Sequence, residues 1–158
     1  MNRLFVAYKP SGIGSNNFLS KLKKKYGVKK AGFSGTLDPF AKGVLVIGFG
    51  SYTKLFRFLA KTPKLYRATL WLGAKSDSLD IELIDEVEKI KELDDLLVQE
   101  ALESLCGELE YTPPIYSAKQ VDGKRAYDIA RSGGSVELQK IKSTIYETKL
   151  IHYSHPFV

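Results

Sequence analysis

Apolar residues recur along this chain in short runs separated by glycine or proline, and the runs have two different spacings. A short apolar run that ends at a cluster of turn-forming residues predicts a strand over residues 3–8. An i, i+3, i+4 spacing predicts a helix over residues 16–26. Ser15 is expected to cap this helix and Gly27 to end it. A continuous apolar run predicts a buried strand over residues 44–47.

Residues 32–42 are predicted to form a loop, because their composition is rich in turn-forming residues. Beyond them, strands and helices mix without a regular βαβ repeat, which favours an α+β fold. The further predicted elements are a short helix over 53–60, a strand over 66–72, a capped turn over 76–80, a helix over 94–106, extended chain over 111–116, a short helix over 125–131 and a strand over 143–153.

Length and composition are those of a globular protein. With 158 residues and 44% hydrophobic content the chain can bury a core, and one domain spanning residues 1–158 is expected. No apolar run approaches the ~20 residues of a membrane-spanning helix. The N-terminus has no signal-peptide pattern, so a cytoplasmic protein without membrane contact is expected.

The single cysteine, Cys106, cannot form an internal disulfide. It lies at the end of an apolar-periodic segment and is expected to be a small buried hydrophobe. His152 and His155 are expected at the surface. No cluster has metal-ligand spacing and no Cys-His dyad suggests itself, so the sequence calls for neither a metal nor a cofactor.

The charges are distributed very unevenly between the two halves of the chain. Residues 1–75 contain fifteen basic residues and one acidic residue, a net charge of +14, whereas residues 76–158 carry −8. Such asymmetry is typical of a surface that binds a polyanion, and nucleic acid is the first partner to consider. A solvated basic surface without a partner explains the charge pattern equally well.

The one acidic residue of the basic half is Asp38, within the Gly-Thr-Leu-Asp-Pro segment at residues 35–39. An Asp-Pro pair readily initiates a turn, which is the simplest interpretation. A lone carboxylate in a glycine-bearing loop of a basic region is also the arrangement expected of a nucleophile in an anion-attracting site. Neither a Walker loop nor a dinucleotide fingerprint is present around residues 10–15.

Taken together, these motifs resemble the bacterial tRNA pseudouridine synthase B family, whose members convert uridine 55 of the tRNA T loop to pseudouridine. The glycine-bearing Leu-Asp-Pro element is the most specific match, and all the matching blocks stand in the family's order. The matching blocks are residues 9–12, 31–39, 41–45, 64–67, 72–73, 76–80, 114–119 and 123–127.

The resemblance implies a catalytic domain with a mixed, mainly antiparallel sheet and flanking helices. It places the catalytic aspartate at Asp38 and the active-site tyrosine at Tyr66, which would support the target base; from its pattern alone Tyr66 could equally pack in the core. Phe33 stands where the family often has histidine, and it could contact substrate or anchor the loop.

The resemblance also implies tRNA as partner, and the basic residues expected at its backbone are Lys9, Lys21, Lys24, Lys25, Lys29 and Lys30.

Family members continue with a Gly-Thr-Tyr-Ile-Arg type strand, further core helices and usually a small C-terminal RNA-binding domain. The resemblance therefore implies a catalytic core that is incomplete at its C-terminus, without the arginine that pairs with the catalytic carboxylate. Residues 1–158 alone are expected to be inactive, and a complete protein is expected to be monomeric. The alternatives are a non-catalytic basic RNA-binding module and, less favoured, a small-molecule enzyme with a basic anion pocket.

Overall fold

The structure, a computed structural model, describes residues 1–60, 62–114, 120–121, 124–125, 129 and 138–158. Helices and antiparallel strands mix along the chain, which confirms the α+β fold. The chain divides into two compact units, Met1–Tyr66 and Arg67–Val158. The single domain expected for residues 1–158 stays a prediction. In the part of the chain that is described, no helix is both long enough and apolar enough to cross a bilayer.

The first unit is a three-stranded antiparallel sheet with a helix on one face. The strand order is β1-β3-β2, so the last strand along the chain lies in the middle. Its elements are β1 (Arg3–Lys9), α1 (Ser15–Tyr26), β2 (Ala31–Ser34), β3 (Gly43–Phe49) and a 3₁₀ helix (Gly50–Phe58).

The core of this unit forms where alternate residues of β3 meet α1. Leu45, Ile47 and Phe49 are buried, and the apolar side of α1 packs against them. Val44 is exposed because it points to the opposite face of the sheet. The prediction of a buried strand over residues 44–47 is therefore correct for alternate residues only.

The opposite face of the sheet is partly covered by the 3₁₀ helix. The ring of Phe56 lies directly on two glycines, Gly32 of β2 and Gly48 of β3. A Cβ atom at Gly48 would lie 2.9 Å from Phe56 Cζ and 3.2 Å from the Thr53 Cα. The absence of side chains at these two positions is what lets the 3₁₀ helix approach the sheet.

Two local predictions in the first unit need correction. Residues 32–34 are not loop, because they pair with β3 in the register Gly32↔Gly48 to Ser34↔Val46. The helix expected over residues 53–60 is a 3₁₀ helix that begins earlier, at Gly50. The helix stop at Gly27 is confirmed, with a left-handed φ of 62°.

In its described residues the second unit contains α2 (Asp95–Glu103) and three pairs of short strands. All three pairs, β4 with β5, β6 with β9 and β7 with β8, are antiparallel. The strands are β4 (Ala74–Ser76), β5 (Ile84–Val87), β6 (Gly107–Tyr111), β7 (Gln120–Val121), β8 (Lys124–Arg125) and β9 (Ile141–Ile145). Asp94 caps α2 by accepting a hydrogen bond from the Leu96 N–H at 2.8 Å.

The strand predicted over residues 66–72 is wrong, since no regular strand forms there. Only a short ladder pairs this segment with residues 156–158, through Leu70 and Val158 and an isolated Trp71↔Phe157 bridge. The strand predicted over residues 143–153 ends at Ile145. Of the helix predicted over residues 125–131, Arg125 lies in β8, and all the rest except Ile129 lies outside the described residues.

Cys106 is a further correction, because it is exposed rather than buried. Its Sγ lies 3.4 Å from Thr148 Oγ1. The segment around it is not core, since α2 ends at Glu103 and β6 begins at Gly107. Extended chain predicted over residues 111–116 begins as the last residue of β6, and residues 115–116 lie outside the described ranges.

The close approach of Phe56 to the sheet predicts the effect of Gly48→Ala. The added methyl group meets a packed ring and a backbone atom, so the substitution should lower the free energy of unfolding by about 1–3 kcal/mol. Gly14→Ala is the matched control, because no atom lies within 4 Å of its Cβ position. Urea unfolding should show a clearly larger loss of stability for Gly48→Ala than for Gly14→Ala, which changes only the N-cap residue of α1. Equal midpoints for the two variants would contradict this packing.

Candidate active site

The Asp38 loop, residues 35–42, connects β2 to β3 at one end of the three-stranded sheet. Because Lys9 pairs with Gly43, β1 ends at the same end of the sheet. The turn that follows β1 therefore lies beside the loop. Asp38 itself is exposed. The loop is therefore placed by three strand ends rather than by its own sequence alone.

Ser15 joins α1 to the Asp38 loop. Its hydroxyl group accepts a hydrogen bond from the Leu37 N–H at 3.0 Å and donates one to the Leu37 carbonyl oxygen at 2.8 Å. Ser15 is buried. The prediction that Ser15 caps α1 is wrong, since Gly14 is the N-cap and makes no side-chain cap hydrogen bond. The hydroxyl group instead satisfies both polar groups of the residue that precedes Asp38.

The residue that follows Asp38 is also fixed from outside the loop. The Gly12 N–H donates to the Pro39 carbonyl oxygen at 2.8 Å. Within the loop, the Ala41 N–H donates to the Asp38 carbonyl oxygen at 3.1 Å. The main chain is thus hydrogen-bonded at Leu37, Asp38 and Pro39. The Asp38 side chain is exposed and has no hydrogen-bond or ion-pair partner among the described residues.

Lys9 shapes the turn that holds the loop. Its side chain is 0% exposed, and its Nζ donates to the carbonyl oxygens of Pro10 at 3.0 Å and Ile13 at 2.6 Å. The role proposed for Lys9 at the RNA backbone is therefore wrong, because a buried ammonium group cannot reach a phosphate. The sequence could have shown this, because alternate residues of a strand lie on the same face of the sheet. Lys9 is therefore on the same face as Phe5 and Ala7, which pack against the core.

Apolar contacts anchor the loop at Leu37 and the strand before it at Phe33. Both residues pack against the buried cluster of β3. Phe33 lies opposite Ile47 on the sheet face that α1 covers. This packing supports the interpretation of Phe33 as an anchor rather than as a substrate contact.

Tyr66 lies at the end of the first unit and is 70% exposed. It belongs to no strand, so the alternative interpretation of a core-packed strand residue is wrong. Among the described residues, no hydrogen bond or ring contact joins it to Asp38, so the structure does not bring the two together directly.

The remaining predicted lysines lie on α1 and in the segment that directly follows it, and we name this set the α1 basic face. The spacing of its first three members puts them on the side of α1 away from the core, and all members are exposed. None has a carboxylate within 4 Å in the described part of the chain. The members are Lys21, Lys24, Lys25, Lys29 and Lys30.

The turn predicted over residues 76–80 is capped, as expected. Ser78 is buried and donates to Asp80 Oδ1 at 2.5 Å, and the Glu82 N–H donates to the same oxygen at 2.8 Å. These bonds give the Asp80 carboxylate a structural role in the turn. Over the described ranges, no three His, Cys, Asp or Glu side chains are grouped to hold a metal ion.

The Ser15 bridge predicts a specific loss of stability. Ser15→Ala leaves the Leu37 N–H and carbonyl groups without their partner and should lower the free energy of unfolding by about 1–3 kcal/mol. Ser20→Ala is the matched control, because the Ser20 hydroxyl donates only to the exposed Asn16 carbonyl oxygen of its own helix. Urea unfolding measures the free energy of unfolding of both variants. Equal losses for Ser15→Ala and Ser20→Ala would contradict a stabilising role of the Ser15 hydrogen bonds to Leu37.

Comparison with the sequences of known proteins places the chain in a family. Residues 23–158 match the model of the TruB family pseudouridylate synthase (N terminal domain). Over all 158 residues the chain is 72% identical to the tRNA pseudouridine synthase B of Sulfurimonas denitrificans, 58% to that of a Nitratiruptor species and 56% to that of Campylobacter concisus. In each case it spans 58% of the relative's length. The chain therefore belongs to the TruB family of pseudouridylate synthases.

Proposed function

We propose that this protein isomerises a uridine of the tRNA T loop to pseudouridine, with Asp38 as the nucleophile. The observation that carries the proposal is the exposed Asp38 carboxylate on a loop whose main chain is hydrogen-bonded on both sides. Membership of the family and the names of the relatives support tRNA as the substrate. We expect the complete protein to act as a cytoplasmic monomer.

The reaction breaks the N1–C1′ bond of the uridine, turns the base and rejoins it to the sugar through C5. Attack by the carboxylate, at C1′ of the sugar or at C6 of the base, holds one fragment covalently while the base turns. The C5–C1′ bond then forms and the carboxylate is expelled, which regenerates it. The C5 hydrogen leaves as a proton and N1 takes up a proton, so that the product is an isomer of uridine. The hydrogen bonds around Leu37 and Pro39 hold the nucleophile in position before substrate arrives.

Binding of the substrate is assigned to two surfaces of different chemistry. The α1 basic face is suited to the phosphates, which position the RNA without reading its sequence. The target uridine must leave its stack to reach a carboxylate, and an exposed aromatic ring such as that of Tyr66 can support it. The proposed roles thus follow from the exposure of these side chains.

The α1 basic face would serve equally well in a non-catalytic RNA-binding module, so Asp38 decides between the two functions. Asp38→Asn in the complete gene product should lower product formation at least ~1000-fold, because the amide is a poor nucleophile. Binding of tRNA should stay within about twofold, since a neutral side chain does not repel phosphate. Tritium release from tRNA labelled at uridine C5 measures product.

The exposed Asp95, on α2, provides the matched control: Asp95→Asn should leave product formation unchanged. An Asp38→Asn variant that releases tritium at the rate of the unaltered protein would refute the nucleophile. A complete gene product that binds tRNA but releases no tritium would leave the module as the function.

Phosphate binding by the α1 basic face predicts a change in salt dependence. Replacing Lys24 and Lys25 by Gln should reduce the slope of log K against log salt by about 0.7–0.9 for each phosphate that is no longer neutralised. Lys75→Gln is the control, because the pKa of Lys75 is raised by its hydrogen bonds to Glu88 and Glu86, which already neutralise it. A slope that is unchanged in the double variant would contradict the assignment.

A further inference from the structure

Part of the three-stranded sheet is left uncovered on the face opposite α1. The 3₁₀ helix covers this face where Phe56 lies on Gly32 and Gly48. Towards the other end of the strands the side chains are open to solvent. We name these residues, Val6 at 63%, Tyr8 at 60% and Val44 at 62% exposure, the open patch.

The open patch borders the Asp38 loop. Val44 is the second residue after the loop and pairs with Tyr8, while Ser34, on the same face, is the last strand residue before the loop. Tyr8 directly precedes Lys9, whose side chain holds the turn that bonds to Pro39. The patch and the carboxylate are therefore carried by the same strand ends.

Tyr8 is well suited to stack on a flat ligand. Its backbone is fixed by pairing with β3, and its ring stands beside two valines rather than in a mobile loop. Within the described part of the chain its exposed hydroxyl group has no hydrogen-bond partner. The ring presents an apolar face with one polar edge, which suits a nucleobase.

The net charge of the unit that carries the open patch favours a polyanionic partner. In the unit Met1–Tyr66 the sequence contains thirteen basic residues and only one acidic residue, Asp38. The exposed Lys42 lies in the loop two residues before Val44. Single-stranded nucleic acid combines a polyanionic backbone with flat apolar bases, and proteins bind it by pairing basic grooves with aromatic side chains.

We propose that the open patch binds an unstacked nucleobase of the RNA substrate, with Tyr8 as the stacking residue. The proposal rests on the proposed function and adds a second base contact beside the loop that carries Asp38. The target uridine itself must meet the Asp38 carboxylate. A base that stacks on the sheet face is therefore a neighbour of the target uridine.

Binding of tRNA to Tyr8→Leu and Tyr8→Phe in the complete gene product tests the proposal. Leucine keeps the apolar bulk that folding needs but removes the aromatic face, so affinity should fall about tenfold with an unchanged salt slope. Phenylalanine keeps the face, and affinity should stay within about twofold. Tyr52→Leu, an exposed tyrosine of the 3₁₀ helix, is the control and should not change affinity.

Two results would overturn the proposal: Tyr8→Leu binding tRNA as tightly as the unaltered protein, or Leu and Phe weakening binding equally. In either case, tritium release by the unaltered protein shows whether the proposed function still stands. If that release is normal and depends on Asp38, only the role of the open patch fails. Thermal unfolding midpoints of the variants ensure that affinity is compared between folded proteins.

Discussion

The double hydrogen bond between the Ser15 hydroxyl group and the Leu37 peptide groups is the interaction on which the candidate site depends. Ser15 is the first residue of α1, and α1 is held against the sheet by apolar packing on Leu45, Ile47 and Phe49. These contacts fix Leu37, the residue that precedes Asp38, relative to the core. An exposed loop rich in turn-forming residues is thereby hydrogen-bonded to the helix on one side of Asp38.

Burial of Lys9 supports the same arrangement from the other side. Removal of an ammonium group from water costs several kcal/mol unless hydrogen bonds replace its hydration. Two carbonyl oxygens of the following turn, from Pro10 and Ile13, supply them. The turn is thus closed around Lys9, and its Gly12 N–H is directed at Pro39. Lys9, although it belongs to a basic region, is buried and stabilises a main-chain turn by hydrogen bonds.

Periodicity predicted the elements whose stability is local or depends on one buried face. The helix over residues 16–26 was predictable for this reason, and a bounded apolar run predicted the strand over residues 3–8. Periodicity could not find β2, because Gly32 contributes no apolar signal and the strand exists only through pairing with β3. The alternation over residues 66–72 predicted a strand where only a short ladder to residues 156–158 forms.

For the candidate site, the sequence and its family resemblance identified Asp38 and the exposed lysines of α1, but not what holds the loop. Ser15 lies 22 residues before Leu37, and no spacing rule connects a helix-initiating serine to a distant peptide group. Charge alone suggests an RNA contact for Lys9, whereas strand parity places its side chain on the core face. Charged surfaces are visible in composition, but long-range hydrogen bonds appear only in the folded chain.

Amide hydrogen exchange at Leu37 tests most directly whether α1 fixes the Asp38 loop. The hydrogen bond to Ser15 should make the Leu37 amide exchange slowly in the unaltered protein. In Ser15→Ala it should exchange at the rate of an unprotected amide, while amides in the middle of α1 keep their protection. Fast exchange at Leu37 in the unaltered protein, or equal protection in both proteins, would contradict the account.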